Sequence, residues 1–465
     1  MTARRVLPLA VPAIAAVFAI AALQAAQADA AVPAFQRGVG VIAAAGLAVV
    51  AVLVRPAWPL SIGLALSVFS AHWGDMGAPF ALDRAALGLG AVSLLARELR
   101  HRDGRLETRP LDWLLMLVAL YALGSAYISG TLDQSHARFT LLDRYGLVPF
   151  LSFFLAPFAF RTQRDRHILL GVLVALGAYL GLTALFETAG PRGLVVPSYI
   201  NDETIGIHFD RARGPFVEAV GNGVTMFFCA VAAAVAFLQW GRTRWRGLAL
   251  LVVGLDLLGV LFTVTRTVWI GAAVGMLLAL LATRETRRFL LPAGAAALVL
   301  VLGAFATVPG LQSRAQKRTD DQAPLYDRRN SNAAAVRMVE AKPLFGFGWG
   351  RFRQESFDYY KQSPDYPLSA VPDLHNVYLS NAVELGLVGA GLWMVAILAA
   401  IGGALARPGP PDVRAWKVGL VALAASLFVA WGTAPSSYVA PTLILWTWAG
   451  IVWGGRDRYP ARQGV

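Results

Sequence analysis

The chain of 465 residues is 57% hydrophobic and 15% charged, whereas a soluble globular domain has about 45–50% apolar and about 25% charged residues. This composition excludes a soluble globular protein and indicates a membrane protein. The net charge of +13 is no evidence for nucleic-acid binding, because basic residues of a bilayer protein mostly mark cytoplasmic loops and contacts with anionic headgroups. The single cysteine, Cys229, excludes an intramolecular disulfide and a cysteine-based metal site.

Fourteen segments are apolar over lengths close to the roughly 20 residues that a membrane-spanning helix needs. They must be helices, since lipid offers no partner for free backbone groups. We therefore predict an all-α polytopic membrane protein with about 14 transmembrane helices. The predicted spans are 6–23, 38–54, 56–72, 80–96, 111–129, 145–160, 167–188, 216–238, 246–263, 267–282, 289–308, 376–402, 413–431 and 438–454.

The distribution of Lys and Arg predicts the orientation. With the N-terminus in the cytoplasm, the inside segments hold roughly three times as many Lys and Arg as the short outside loops, as the positive-inside rule requires. Both termini are then cytoplasmic. Small residues at Ala28 and Ala30 also fit a signal-peptide cleavage site, but the preceding apolar run is long for one, so we expect an uncleaved first helix.

Two outside segments are longer than the other connections, and such loops are usually functional or disordered. The first is 189–215 and the second is 309–375. Ala333, Val336, Val339 and Leu344 recur near helical spacing in the second segment. We therefore predict three regions: eleven transmembrane helices in 1–308, an extracytoplasmic helical cap loop in 309–375, and three transmembrane helices in 376–465.

Three arginines are predicted at the outer face. Arg211 and Arg213 lie in "RARGPF" just before a helix, and Arg266 lies in the tight turn "TVTRTVWIG". Arginine stays charged and binds phosphate oxygens in pairs, so three such cations would suit a phosphate group. The alternative is that the arginines contact lipid headgroups or pair with Asp210 and other nearby acids.

A polar cluster precedes the predicted helix 376–402. We expect Asp373 to cap this helix, which would place His375 and Asn376 in its first turn. The helix dipole then favours a neutral imidazole that can act as a general base. The alternative is that His375 and Asn376 are only polar residues at a helix start.

Two carboxylates are predicted inside the membrane. Asp256 lies about mid-span, and intramembrane carboxylates are costly enough to be functional candidates. A hydrogen bond to a neighbouring helix would explain Asp256 equally well. Glu384 lies two turns into its helix, and we interpret it as a packing residue.

Several motifs together resemble the O-antigen ligase superfamily, which also includes O-antigen and exopolysaccharide polymerases. The motifs are "RARGPF", "TVTRTVWIG", "DRRNSNAAAVRMVEAKPLFG", "PLFGFGWGRF" and "HNVYLSNAVELGLVGAGLWM". They span 210–391. The chain departs from the family pattern at Gly221 and Asn222, where Pro-Asn is usual.

The resemblance implies a GT-C-like glycosyltransferase that takes a glycan from a polyprenyl diphosphate on the outer side of a bacterial inner membrane, with the active site facing the periplasm. It implies that His375, Arg266 and Arg213 are catalytic. Substrate-binding residues would be Arg211, Arg329, Asn376 and Tyr378. No acidic D-x-D pair occurs in the outer loops, so we predict that the enzyme needs no metal. The family chemistry also implies an inverting displacement that needs only one base and no cofactor. Cap aromatics such as Trp349 and Tyr359 either stack on sugars or form the cap's own core.

Three functions remain open. The first is a ligase that transfers a finished polysaccharide to lipid A core. The second is a polymerase with a second lipid-linked glycan as acceptor, which would use the same residues. The third is a lipid-linked oligosaccharide flippase or other transporter, although the single large loop late in the chain does not fit the two similar halves expected of many transporters. Membrane lipids are partners in every case, and nucleic acid in none.

Overall fold

A computed structural model describes residues 54–78, 80–100, 108–144, 146–241, 243–320, 323–361, 374–434 and 438–455. Within these ranges the chain is helical and contains no β-strand, which confirms the predicted all-α class. The predicted span 6–23, nearly all of 38–54, and Asp373 lie outside the described residues.

Each of the twelve predicted spans from 56–72 onward coincides with helix. Numbered in chain order through the described residues, the α-helices are α1 Ala57–Leu66, α2 Leu82–Arg100, α3 Pro110–Ile128, α4 Ser135–Arg144, α5 Leu147–Ala159, α6 Gln163–Thr188, α7 Ala219–Gln239, α8 Arg244–Phe262, α9 Arg266–Leu281, α10 Arg284–Arg287, α11 Leu290–Thr307, α12 Leu311–Asp320, α13 Ala323–Ala341, α14 Phe352–Glu355, α15 Val377–Ala406, α16 Arg414–Trp431 and α17 Val439–Gly454.

Eight helical stretches of the described chain are long and apolar enough to cross a membrane. They are Pro110–Ile128, Ser135–Ala159, Gln163–Thr188, Ala219–Gln239, Arg244–Phe262, Leu290–Thr307, Val377–Ala406 and Pro411–Trp431. Ala57–Phe69, Arg266–Leu281 and Val439–Gly454 are apolar but shorter. Helix α2 has charged residues near both ends. These features fit a multi-pass α-helical membrane protein.

The chain divides into two compact units, 1–108 with 158–172, and 109–157 with 173–465. In the first unit α1 packs closely against α2, because Gly63 lies on Leu87 and Gly90 on Leu60. Asp83 at the start of α2 is fully buried and accepts hydrogen bonds from Ser70 Oγ and from Trp73 Nε1.

In the second unit, α7 packs against α8, and α9 against α16. Glycines let the second pair approach closely, since a Cβ on Gly271 would lie 3.1 Å from the Ser426 carbonyl oxygen and one on Gly275 2.6 Å from the Ala422 carbonyl oxygen. Close contact through small residues is typical of helix pairs inside a membrane.

Helix α15 is interrupted at Gly386, contrary to the uninterrupted helix that we predicted. Gly386 has φ 67° and ψ 178°, a conformation essentially restricted to glycine. The break leaves the carbonyls of Val383 and Glu384, and the N–H groups of Leu387 and Val388, without their usual helical partners.

The turn 343–348 supplies those partners. Phe347 N and Gly348 N donate to the Val383 and Glu384 oxygens, each at 2.9 Å. In return, Pro343 O accepts from Leu387 N at 2.7 Å and Leu344 O accepts from Val388 N at 3.3 Å. The two sequence motifs "PLFGFG" and "ELG" are therefore one interlocked unit, in which Gly346 packs against Gly386 with no room for a Cβ.

The described part of 309–375 contains α12, α13 and α14. Its small core consists of Ala335, Met338 and Phe352 packed on Leu374 and Val383. The periodicity predicted a helix here correctly but its buried face only in part. Val339 contacts this core, whereas Val336 is exposed and Leu344 lies beyond the helix end.

Aromatic residues of the segment serve mainly in packing. Trp349 is fully buried, and its Nε1 donates to the Ala137 carbonyl at 2.9 Å. The Tyr359 ring packs edge-on against Phe347, with 5.6 Å between ring centroids.

Candidate functional site

Four helices of the second unit begin at one end of it, which we call the cap end: α7, α9, α15 and α17. Thr267 on α9 hydrogen-bonds Thr433 just after α16, with 2.8 Å between the hydroxyl oxygens. The Tyr378 ring on α15 approaches Gly432. A Cβ on Gly221 of α7 would lie 2.7 Å from Tyr438 Cδ1, directly before α17. Helices α8 and α16 end here, and their C-termini carry partial negative charge that opposes the positive charge of the N-termini. The arginines of this end are therefore its clearest cations.

The segment 211–213 is fixed between two helix ends. Ala212 N donates to the Phe262 carbonyl, the last residue of α8, at 3.1 Å. The Ala212 oxygen accepts from Asn222 Nδ2 on α7, also at 3.1 Å. These bonds place Arg211 next to the turn that leads from α8 to Arg266.

Arg213 is 1% exposed, and its guanidinium faces carbonyls of its own loop. Nη1 donates to Ile205 O at 2.6 Å, and Nη2 donates to Ile200 O at 2.8 Å and to Asp202 O at 2.5 Å. Burial lowers the pKa of the guanidinium, although an arginine remains charged at neutral pH. The guanidinium also lies over the Phe209 ring, 4.8 Å from its centroid. These contacts stabilise the loop 189–215, so they favour a positioning role over direct contact with substrate.

Arg211 is buried beside charged groups. Its Nε lies 3.8 Å from Asp210 Oδ1, a residue with an exposed side chain. The Asp210 carbonyl also accepts a hydrogen bond from Arg314 Nη1 on α12 at 3.4 Å. Arg211 interacts electrostatically with Glu218 at the start of α7. It therefore lies where the loop, α12 and α7 meet.

Arg266 is the first residue of α9, and its side chain is exposed. It lines a surface cavity of about 250 Å³ together with Trp269 and Phe305 and with Gln312 and Gln316 of α12. An exposed guanidinium at a helix start, next to aromatic rings, suits an anionic head group with an apolar chain. The prediction that Arg266 lies at the surface agrees with this position.

The turn before Arg266 is strained. Val264 has φ +45° and is buried. A β-branched residue with positive φ is a true outlier, and such strain concentrates at functional sites. Val217, just before Glu218, has the same φ of +45° and is also buried.

The start of α15 differs from the prediction. Asn376, not Asp373, is the N-cap, because Asn376 Oδ1 accepts from Leu379 N at 3.1 Å. Asn and Asp cap equally well, so the sequence did not distinguish them. His375 therefore precedes the helix instead of lying in its first turn, and it is half-buried beside Leu374.

Tyr378 is the second residue of α15. Its hydroxyl donates to the Phe428 carbonyl at 3.0 Å, and its ring packs near Trp393 and Trp431. These contacts join α15 to α16. Tyr378 and Asn376 therefore both have structural partners, and their predicted role in substrate binding stays a prediction.

Helix α13 carries Arg328 and Arg329, of which we predicted the second as a site residue. Arg329 is exposed, whereas Arg328 is half-buried and interacts electrostatically with Tyr438. Arg328 lies two turns before Ala335, on the helix face that packs toward Leu374. The seven-residue spacing was the available signal that Arg328 faces inward.

The sequence did not indicate that Glu218 and Tyr438 form a hydrogen-bonded pair at the cap end. The Tyr438 hydroxyl hydrogen-bonds the Glu218 carboxylate. Burial raises the pKa of Glu218, and burial together with the Glu218 charge raises the pKa of Tyr438. Because 219 intervening residues separate the two positions, no local pattern indicated the pair.

Asp256 lies away from this end, in the middle of α8. It is fully buried, and no hydrogen-bond partner of its carboxylate oxygens is found among the described residues. It faces Gly177 and Gly181 of α6 and Cys229 of α7. The hydrogen bond to a neighbouring helix that we considered is thus not seen.

The family model described as O-antigen ligase matches residues 251–394 of the chain. No curated protein matches it. The matched range includes Arg266, the turn 343–348, His375 and the part of α15 that contains the break at Gly386. Arg211, Arg213 and Glu218 precede the matched range.

Proposed function

We propose, from the premise that this chain belongs to the O-antigen ligase family, that it moves a glycan from a polyprenyl diphosphate to an acceptor hydroxyl. The family supports a membrane enzyme of the ligase or polymerase type that acts on lipid-linked glycans. The proposed donor is the polyprenyl diphosphate, the proposed acceptor is lipid A core, and the proposed place is the periplasmic face of a bacterial inner membrane, with both termini in the cytoplasm.

One observation carries this proposal: Arg211 and Arg266 both lie at the cap end. The hydrogen bond from Ala212 N to Phe262 O links the Arg211 segment to the turn that leads to Arg266. A diphosphate carries several negative charges, and arginine forks bind its oxygens in pairs. We assign Arg266 and Arg211 to the diphosphate and Arg213 to holding the loop that presents Arg211.

The position of Arg266 also supports a lipid-linked donor. Trp269 and Phe305 line the same cavity, and Ile270 on α9 and Leu302 on α11 are exposed apolar residues beyond it. A prenyl chain would extend along these residues while the diphosphate remains at Arg266. Because the apolar surface continues beyond the cavity, it suits a long hydrocarbon chain better than a free sugar phosphate.

The reaction is a displacement at the anomeric carbon. The acceptor oxygen forms the new bond as the bond from carbon to diphosphate oxygen breaks, and the diphosphate leaves with the electron pair. The transition state concentrates negative charge on the leaving group, where fixed cations are most effective. We propose that the reaction is inverting because it is a single displacement. We propose that it is metal-independent because guanidinium groups supply the charge that a metal would otherwise supply. His375 either accepts the acceptor proton or binds the leaving phosphate.

A gel of lipopolysaccharide from a strain that lacks the gene tests the choice of acceptor. Core without attached repeats supports the ligase that we propose. Core with a single repeat would assign an O-antigen polymerase, and an unchanged pattern with lost capsule would assign an exopolysaccharide polymerase.

Arg266 variants test the chemistry in that strain. Arg266→Ala is expected to reduce transfer by at least about 10²-fold, the effect of losing one transition-state contact, with normal amounts of inserted protein because the side chain is exposed. Arg266→Lys, which keeps the charge but not the fork, is expected to retain part of the activity. Near-normal transfer by Arg266→Ala would remove the proposed diphosphate contact.

A further inference from the structure

Helix α7 begins with a glutamate as its N-cap. Glu218 Oε2 accepts a hydrogen bond from Gly221 N at 2.8 Å. Ser, Thr, Asp and Asn are the residues strongly preferred at this position. Capping alone therefore does not account for the longer side chain of a glutamate.

The Glu218 carboxylate lies among polar groups from four segments. The Tyr438 hydroxyl, from the start of α17, donates a hydrogen bond to it. Arg211, from the loop 189–215, is a cation that interacts with the carboxylate. Arg328 of α13 interacts in turn with the Tyr438 hydroxyl. Glu218 as a whole residue is half-buried at the end that holds Arg211.

The backbone around Glu218 is held in a fixed and strained form. Val217 has φ +45°, its N donates to Gly214 O at 3.0 Å, and its oxygen accepts from Ile207 N at 3.0 Å. The Glu218 N–H donates to Arg213 O at 3.4 Å. Such strain persists only where the surrounding structure imposes it, and it is typical of functional positions.

The protonation equilibrium of Glu218 suits a base. Burial raises the pKa of its carboxyl group, while the backbone N–H groups, the Tyr438 hydroxyl and Arg211 oppose that rise. A carboxylate with a raised pKa is a stronger base than one with the ordinary pKa.

We propose that Glu218 is the proton acceptor of the transfer reaction and that Tyr438 is a positioning residue which orients its carboxylate. The inference rests on the proposed function. As the acceptor oxygen bonds to the anomeric carbon, its proton moves to the Glu218 carboxylate, and the bond from the anomeric carbon to the diphosphate breaks. Of the two roles considered for His375, this leaves contact with the leaving phosphate.

Azide separates a base from a mere helix cap. Azide is an anionic nucleophile that carries no proton to remove, so its attack on the anomeric carbon gives a glycosyl azide without a general base. Glu218→Gln keeps the shape and the capping oxygen but cannot accept the proton. Proteoliposomes of each variant receive lipid-linked glycan extracted from a strain that lacks the gene, with lipid A core from the same strain or sodium azide as acceptor.

With lipid A core, Glu218→Gln is expected to transfer about 10²–10⁴-fold more slowly than the unaltered protein, the range of a general base. With azide, Glu218→Gln is expected to release polyprenyl diphosphate at least tenfold faster than the same variant does with lipid A core. It is also expected to form glycosyl azide, which mass spectrometry detects. The control Glu340→Gln, on an exposed site of α13, is expected to behave as the unaltered protein. Normal transfer by folded Glu218→Gln, or its failure to respond to azide, would overturn the assignment.

Tyr438→Phe gives an independent result if Glu218→Gln does not fold. This variant keeps the ring that packs against Phe216 and removes the hydroxyl that lowers the Glu218 pKa. The base must be deprotonated, so the acid limb of the rate profile is expected to move to higher pH. An unmoved acid limb would overturn the proposal. If the unaltered protein transfers glycan to neither acceptor, the proposed function itself is wrong, whereas active Glu218→Gln refutes only the base.

Discussion

Replacing Gly386 by alanine tests the interlock between α15 and the turn 343–348. An alanine there would have to adopt φ 67° and ψ 178°, which costs about 1–3 kcal/mol for a residue with a Cβ. Its Cβ would also overlap the Leu344 carbonyl. Moving the turn away weakens the four hydrogen bonds across the break, each of which contributes about 1 kcal/mol. Together these effects predict a loss of about 3–6 kcal/mol.

Thermal denaturation in detergent, followed by the amount of protein that still elutes as a single species, measures this loss. For a chain of this size the change corresponds to a fall in melting temperature of roughly 5 °C. Gly391→Ala is the matched control in the same helix, because a Cβ there meets no atom within 4 Å and alanine favours helix by about 0.5–1 kcal/mol. Equal melting temperatures for the two variants would refute the interlock.

Two further predictions concern residues with structural partners at the cap end. Arg213→Ala is expected to expose the loop 189–215 to limited proteolysis and to lower transfer, because three carbonyls lose their donor; unchanged proteolysis would contradict the positioning role. Asn376→Ala is expected to cost about 1 kcal/mol of stability, because the hydrogen bond that caps the helix at Leu379 N is lost. Transfer, measured by lipopolysaccharide gel, is expected to change by less than about tenfold. Complete loss of transfer with normal expression would indicate contact with substrate.

The long apolar helices could be predicted from the sequence because each is a long apolar run. The break at Gly386 could not, since glycine is common in membrane helices and only the docked turn 343–348 compensates for the lost helical bonds. Both the turn and the "ELG" stretch were recognised as motifs, but their pairing was not predicted.

The position of a site residue could be predicted where the neighbouring sequence alone determines it. Arg266 is an example, since the tight turn restricts it to the surface. Arg213 is also an arginine, but the carbonyls that it contacts come together only when the loop 189–215 is folded. Glu218 and Tyr438 come together only because α7 and α17 begin at the same end, which no periodicity indicates.

The most direct test of the proposed function is transfer by the purified protein in proteoliposomes that contain lipid-linked glycan and lipid A core. We expect glycan attached to the core, with one polyprenyl diphosphate released for each glycan transferred, and at least about 10²-fold less of both products with Arg266→Ala. Intact donor that has moved across the bilayer, with no glycan attached to any acceptor, would contradict the proposed function and indicate a transporter.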